Sequence, residues 1–380
     1  MNIKSIYLAL PLLAVCMSAC ISAEKAGAET PSVPHEIQAS HPALAEGKPT
    51  PQTLIQTRDP EGSLLEYYLD VDSVICGDGQ CEIISVRLFW DPIGTFLRYE
   101  FPKGGDLTKR GHQKFSAKDH EKLQGILSDP ASLLKEVNPK DVVSPAQAQT
   151  GDEIDGSSGA TLLSDKSAIV SGAVYTCYTL WHWVNSPLQA TISGISAKEM
   201  NNRQLIDYLN STDEQRIEFA ITRLSERGTK DESTKGAVYN QALNGNTGLA
   251  SAAIGYFESL GAENYYEAIA KLFSQGSSKK QVLYLSSLVS TDLPAPDGFY
   301  DHLSNSLPEL ESYYEVHLLL NLMTDKNRES PEVVANVLVL LDNKSFLIGR
   351  RAYNFLKDLE LPEPQLAQVE AFRTKYADRL

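Results

Sequence analysis

The chain has 380 residues, 42 % hydrophobic and 22 % charged. These are globular proportions, with length enough for two ordinary domains plus an export segment and a linker. With 34 basic against 49 acidic residues the formal net charge is −15, and no dense Lys/Arg cluster reverses it locally, which argues against nucleic acid or an anionic membrane face as a charge-bound partner.

The first residues address the compartment. Lys4 precedes an apolar run from Ile6 to Met17, broken only by Pro11. The run is too short for a stable membrane span and has the size of a signal-peptide core. Two processing sites are open. Met17-Ser18-Ala19-Cys20 resembles a lipobox, which would make Cys20 the lipidated N-terminus of a periplasmic lipoprotein on the inner or outer membrane. Ala26-Gly27-Ala28 before Glu29 fits the small-x-small pattern that releases a soluble form.

Residues 21–60 are rich in Ala, Pro, Glu, Ser and Thr with little periodicity and read as a flexible tether. From Leu64 the pattern changes. Leu65–Val74, Ile83–Trp90 and Phe96–Phe101 carry the β-branched and aromatic residues of a small antiparallel meander. Between the first two runs, Cys76-Gly-Asp-Gly-Gln-Cys81 offers a tight reversal, and a disulfide across it suits an oxidising compartment. Closing so short a loop removes little unfolded-state entropy. A helix should open after Ser116, with Ser116 and Asp119 as a capping box, bury Leu123, Ile126 and Leu127, and stop at Ser128-Asp129-Pro130. A polar stretch leads to a small-residue loop, and Ala168 to Val184 then reads as one helix with Cys177 as a buried small hydrophobe.

Beyond Pro187 strand signals disappear. Amphipathic segments such as Glu214–Arg227, Tyr265–Gln275 and Gln365–Ala377 recur with short polar breaks. Paired helices with one apolar stripe each fit a HEAT-like repeat array over 195–380. No fixed repeat motif is present, and an irregular helical bundle stands as the alternative.

The informative loop is Asp155-Gly156-Ser157-Ser158-Gly159-Ala160-Thr161. Its glycines adopt backbone conformations closed to other residues, and its small side chains let backbone approach a ligand. The helix that follows presents free N–H groups and a positive dipole end to a phosphate. Composition alone gives a phosphate-friendly turn carrying a hydroxyl, and equally an ordinary loop with Thr161 or Ser164 as N-cap.

The residue order Asp-x-x-Ser-Gly-Ala-Thr resembles the flavinylation motif of FMN-binding domains, as in subunits of sodium-pumping and RNF electron-transport complexes. Asp155, Ser158, Gly159, Ala160 and Thr161 match it. The resemblance spans about Leu64 to Val184 and does not touch the helical half. It implies that a flavin transferase cleaves FAD and joins FMN to the Thr161 hydroxyl as a phosphoester, with Asp155 recognised nearby. The fold it implies is an α+β FMN-binding domain over 61–190, followed by an all-α helical-repeat-like domain. The function it implies is electron relay between extracytoplasmic partners, a redox protein or a quinone, without need of a substrate of its own. Two other readings remain: an unflavinylated lipoprotein whose helices bind a partner protein, and a flavin-bearing reductase of a small exported substrate.

Ser171, Gly172 and Ala173 would let the flavin ring lie close, and Tyr178 or Trp181 could stack on it, although aromatics at helical spacing usually pack a core. His182 reads as a helix-end residue. His112 and His120 lack convergent cysteines or carboxylates in the sequence, so no metal is assigned. Hydrolase, zinc-protease, P-loop and dinucleotide fingerprints are absent from the sequence.

Overall fold

The computed structural model describes residues 31–42, 47–73, 84–109, 112–137, 169–327 and 329–380. Five strands form an antiparallel meander in chain order: β1 (Ser32–Ala39), β2 (Thr50–Arg58), β3 (Leu64–Ser73), β4 (Ile84–Trp90) and β5 (Phe96–Glu100). Alternation sorts their side chains. Tyr67 pairs with Trp90, Leu69 with Leu88 and Val71 with Val86, all buried on one face. The other face carries Tyr68 opposite Phe89 and Asp70 opposite Arg87. There the Arg87 guanidinium lies 4.0 Å from the Tyr68 ring centre and that of Arg98 lies 3.8 Å from Phe89, so charge and aromatic surface cover each other.

β1 and β2 occupy residues assigned above to a flexible tether, and that assignment is corrected from Ser32 onward. Pro34 and the polar residues of β1 are tolerated because β1 is an edge strand, and Pro51 lies before the residues of β2 that pair with β3. Only Ile37, Ala39 and Leu54 supply hydrophobic burial there, too sparse a pattern to stand out from a Pro- and Glu-rich background.

Two strands of two residues each, β6 (Thr108–Lys109) and β7 (Gln113–Lys114), pair antiparallel and lead into α1 (Ala117–Leu127). The capping box at α1 forms as expected: Ser116 Oγ accepts from Asp119 N–H, and Asp119 accepts from Ser116 N–H at 2.8 Å. After a short 3-10 turn at Leu133–Glu136 the next described helix is α2 (Val174–Val184), which begins later than the helix read from Ala168. Gly172 at φ +78° makes a turn there, with Ser171 and Gly172 exposed and Ala173 buried. The three small residues therefore precede the helix rather than line it.

A further helix, α3 (Leu188–Glu199), was not foreseen; its polar, Ser- and Gly-containing sequence has a weak apolar stripe. Leu188 and Ile192 nevertheless join the core formed by the sheet, α1 and α2. Ser196 Oγ donates to Tyr67 OH at 3.0 Å, and Gln56 and Arg58 both donate to Glu199.

The rest is helical: α4 (Asn202–Leu209), α5 (Glu214–Glu226), α6 (Glu232–Asn244), α7 (Thr247–Ser259), α8 (Ala262–Gln275), α9 (Ser278–Ser290), α10 (Phe299–Ser304), α11 (Tyr313–Lys326), α12 (Pro331–Val339), α13 (Phe346–Leu356) and α14 (Glu363–Lys375). They stack in two rows. α5, α7, α9, α11 and α13 pack successively on one another, and α4, α6 and α8, then α10, α12 and α14, do so alongside. This region has its own core, from Met200 to Phe372. The observed architecture is thus an antiparallel sheet with its helices, followed by an all-helical region. Among the described residues no helix is long and apolar enough to cross a membrane.

Candidate functional site

The residues of the motif, Asp155, Ser158, Gly159, Ala160 and Thr161, lie outside the described residues, as do Cys20, Cys76 and Cys81. What is described is the frame on either side of the motif, Leu133–Val137 before it and Ile169 to Val184 after it. Thr161 stands eight residues before Ile169, so extended chain between them spans at most roughly 29 Å. Anything attached at Thr161 is therefore tethered within about 29 Å of Ile169.

α2 packs on β3, on α1 and on the 3-10 turn. Trp90 Nε1 donates to Val184 O at 3.2 Å, and Trp181 Nε1 donates to Asp129 O at 2.8 Å. Tyr178, Trp181 and Trp183 are buried, so the aromatic run packs the core. Cys177 is fully buried and accepts from Val170 N–H, and burial pushes its thiol up to about 11, which keeps it a protonated, inert thiol. The same helix buries Thr176 Oγ1, Tyr178 OH, Thr179 Oγ1 and Trp183 Nε1 without a hydrogen-bond partner among the described residues.

At the C-terminal end of α2, two histidines meet. His41 Nε2 donates to Thr179 O at 2.9 Å and His182 Nε2 to Leu134 O at 3.1 Å, their ring centres 6.0 Å apart. Burial, followed by the neighbouring His41, holds His182 down to about 4, and burial also lowers His41. Both rings are neutral donors near pH 7. Beside them opens a groove of about 430 Å³ lined by Lys135, Trp181, His182, Asn185 and Gln189 among others. It adjoins a second groove of about 540 Å³, which shares Pro130, Asn185 and Gln189 and continues past Gly94 to Phe219 on α5.

The groove has room for a ring system, and its lysine and side-chain amides suit the polar edge of a flavin, whereas the Trp181 indole, 3 % exposed, is committed to the core.

A second cluster was missed by sequence reasoning. The statement that His120 has no convergent carboxylate is corrected: Asp106 Oδ1 lies 2.9 Å from His120 Nε2, and Tyr99 OH lies 2.8 Å from His120 Nδ1. With Asp106 accepting from Nε2–H, a neutral ring accepts from the Tyr99 hydroxyl. The arrangement is that of acid, imidazole and hydroxyl, but burial and then the Asp106 charge raise Tyr99 well above the ordinary tyrosine range. A hydroxyl held protonated is a hydrogen-bond donor and not an activated nucleophile. Asp106 precedes the β6–β7 hairpin, and only folding of that hairpin onto α1 brings it to His120. No local sequence signal could have found the pair. His112 is exposed at φ +59°. Among the described residues no three His, Cys, Asp or Glu side chains converge on a metal position.

No known protein family matches this chain, and no curated protein or solved structure is significantly similar to it.

Proposed function

We propose that this protein is an exported flavoprotein that carries FMN as a phosphoester on Thr161 and relays electrons between extracytoplasmic partners. The observation that carries the reading is the ordered set Asp155, Ser158, Gly159, Ala160 and Thr161, in a chain that opens with an export segment. In the attachment step a flavin transferase presents FAD. The Thr161 hydroxyl oxygen bonds to the phosphorus of the FMN half, the pyrophosphate bond breaks, AMP leaves and the hydroxyl proton is lost. Cys20, as a lipidated N-terminus, ties the product to the membrane.

Bound FMN supplies reversible two-electron chemistry, and the protein's part is to hold, orient and tune it. Lys135 places positive charge at the mouth of the α2 groove, and Asn185 and Gln189 border it with amides. The helical region, read as a HEAT-like array, serves as the docking surface for a redox partner protein, and a quinone is the alternative partner. A second reading, a lipoprotein whose helices bind a partner without any flavin, is favoured by the two-row stacking of the helices.

Intact mass decides between them. Co-expressed with a flavin transferase in an exporting host, the wild type should gain one FMN less one water and Thr161→Ala should gain nothing. No gain in the wild type, with the transferase active on a control substrate, leaves the second reading.

A further inference from the structure

Tyr99, His120 and Asp106 come from three separate stretches of chain: β5, α1 and the segment between β5 and β6. Tyr99 OH stands 2.8 Å from His120 Nδ1, and His120 Nε2 stands 2.9 Å from Asp106 Oδ1, so phenol, imidazole and carboxylate form one hydrogen-bonded chain. Burial and the Asp106 charge keep the phenol protonated near neutral pH, and it is the donor to the imidazole.

Other buried tyrosines meet acceptors of a different kind. Tyr256 and Tyr266 donate to backbone carbonyls at 2.6 and 2.7 Å. A carbonyl oxygen holds a hydrogen bond but does not keep a proton, whereas a neutral imidazole does. Asp106 on the far nitrogen then meets the positive charge that the ring acquires. The His120 and Asp106 side chains are 29 % and 28 % exposed, so water also reaches that charge, while Tyr99 is half-buried. The surrounding walls are aromatic. Phe101 lies 5.9 Å from Tyr99 and 6.2 Å from His120, and Phe115 lies 5.3 Å from His120, centre to centre.

This geometry favours loss of an electron over nucleophilic attack. A phenol that loses one electron becomes a strong acid, and the electron leaves readily where a base already holds the hydrogen bond to the proton. We propose that Tyr99 is a redox-active tyrosine, giving one electron to an organic peroxyl radical while its phenolic proton passes to His120 Nδ1. The Tyr99 O–H bond breaks and an N–H bond forms on His120. The peroxyl radical becomes a peroxide anion, which takes a proton from water and leaves as the hydroperoxide. Tyr99 is left as a neutral phenoxyl radical, hydrogen-bonded to an imidazolium paired with Asp106. Phe101 and Phe115 are harder to oxidise than a phenol, so the walls do not draw the radical away. The step needs no bound cofactor and stands or falls apart from the flavin reading.

The test exposes the full chain to trichloromethylperoxyl radicals made by pulse radiolysis and follows the phenoxyl radical by its absorbance. On unmutated protein a nitroso spin trap marks the radical, and trypsin cuts after Arg98 and Lys103 to release a peptide whose one tyrosine is Tyr99. The adduct is expected on that peptide, and radical formation should slow in deuterium oxide because the proton moves with the electron. Tyr99→Phe should lose most of the fast signal. His120→Gln keeps an acceptor that is not a base and should slow formation at least about tenfold, within what a positioned base contributes. Adducts confined to other peptides, equal rates in the two waters, an undiminished fast signal in Tyr99→Phe, or unslowed formation in His120→Gln overturns the proposal. Because the trapping and isotope arms use unmutated protein, a variant that fails to fold leaves the test standing.

Discussion

His182 shows how one buried ring ties stability to pH. It is neutral in the fold and gives its Nε2–H to Leu134 O, and burial with the adjacent His41 holds it at about 4 against an ordinary 6.5. The unfolded chain takes up the proton near 6.5, whereas the folded chain resists it until about 4. The unfolded state thus binds more protons throughout that window, and stability falls as pH drops through it, with no further loss from this group below. The direction is opposite to that of a histidine with a carboxylate partner. Thermal melts across the window should show the decline, and His182→Gln, which keeps an N–H donor but does not titrate, should show a shallower one. Equal slopes for the two proteins would remove His182 as the cause. The buried polar atoms of α2 belong to the same scale: each unpaired hydroxyl costs about 1–3 kcal/mol relative to a paired one. Three such hydroxyls and one indole N–H lie on this helix without a partner among the described residues.

Among the elements, the β4–β5 turn and α3 approach each other closely. Gly94 has φ +91°, and a Cβ there would stand 2.5 Å from Gln189 O. Both the left-handed conformation and the close approach require glycine. Asp91 holds the same turn, with Oδ1 accepting from Ile93 N–H at 3.1 Å and Thr95 N–H at 2.8 Å. Gly94→Ala should destabilise the protein by about 1–2 kcal/mol from the backbone conformation alone, with the clash adding to it. Denaturant unfolding measures the loss, and the midpoint should fall without loss of secondary structure in the folded baseline. An unchanged midpoint would mean that the turn and α3 separate freely. The same turn borders the groove that runs along α3 to Phe219, so its rigidity also sets the width of that groove.

At the scale of the whole molecule there are two cores, one between the sheet and α1–α3 and one within the helical stack. Few polar links join them. Leu64, from β3, is counted with the helical core, and the Asp91 carboxylate, 5 % exposed, pairs with Arg216 on α5 at 3.1 Å. Arg216→Ala leaves a buried carboxylate oxygen without its cation, at a cost of about 1–3 kcal/mol. More telling is cooperativity: cores joined by few contacts unfold together only while the joint holds. Scanning calorimetry should resolve two transitions in Arg216→Ala that overlap or merge in the wild type. One sharp transition in both proteins would show that apolar contacts alone couple the halves.

The amino-acid sequence by itself determined the local events, because each depends on residues close in the chain. The α1 capping box with its stop at Ser128, the meander of β3, β4 and β5, the burial of Cys177 and the change to an all-helical region after Pro187 are of this kind. The motif ending at Thr161 is also a purely sequential feature, and it carries the functional reading. Tertiary structure alone decided what depends on distant residues. β1 and β2 exist as strands because pairing satisfies a polar, proline-bearing backbone that has too few apolar residues to declare itself. α3 is a helix of the sheet unit because Leu188 and Ile192 find its core and Glu199 receives Gln56 and Arg58. The pairing of Asp106 with His120 follows from which surfaces meet, and no spacing along the chain encodes that.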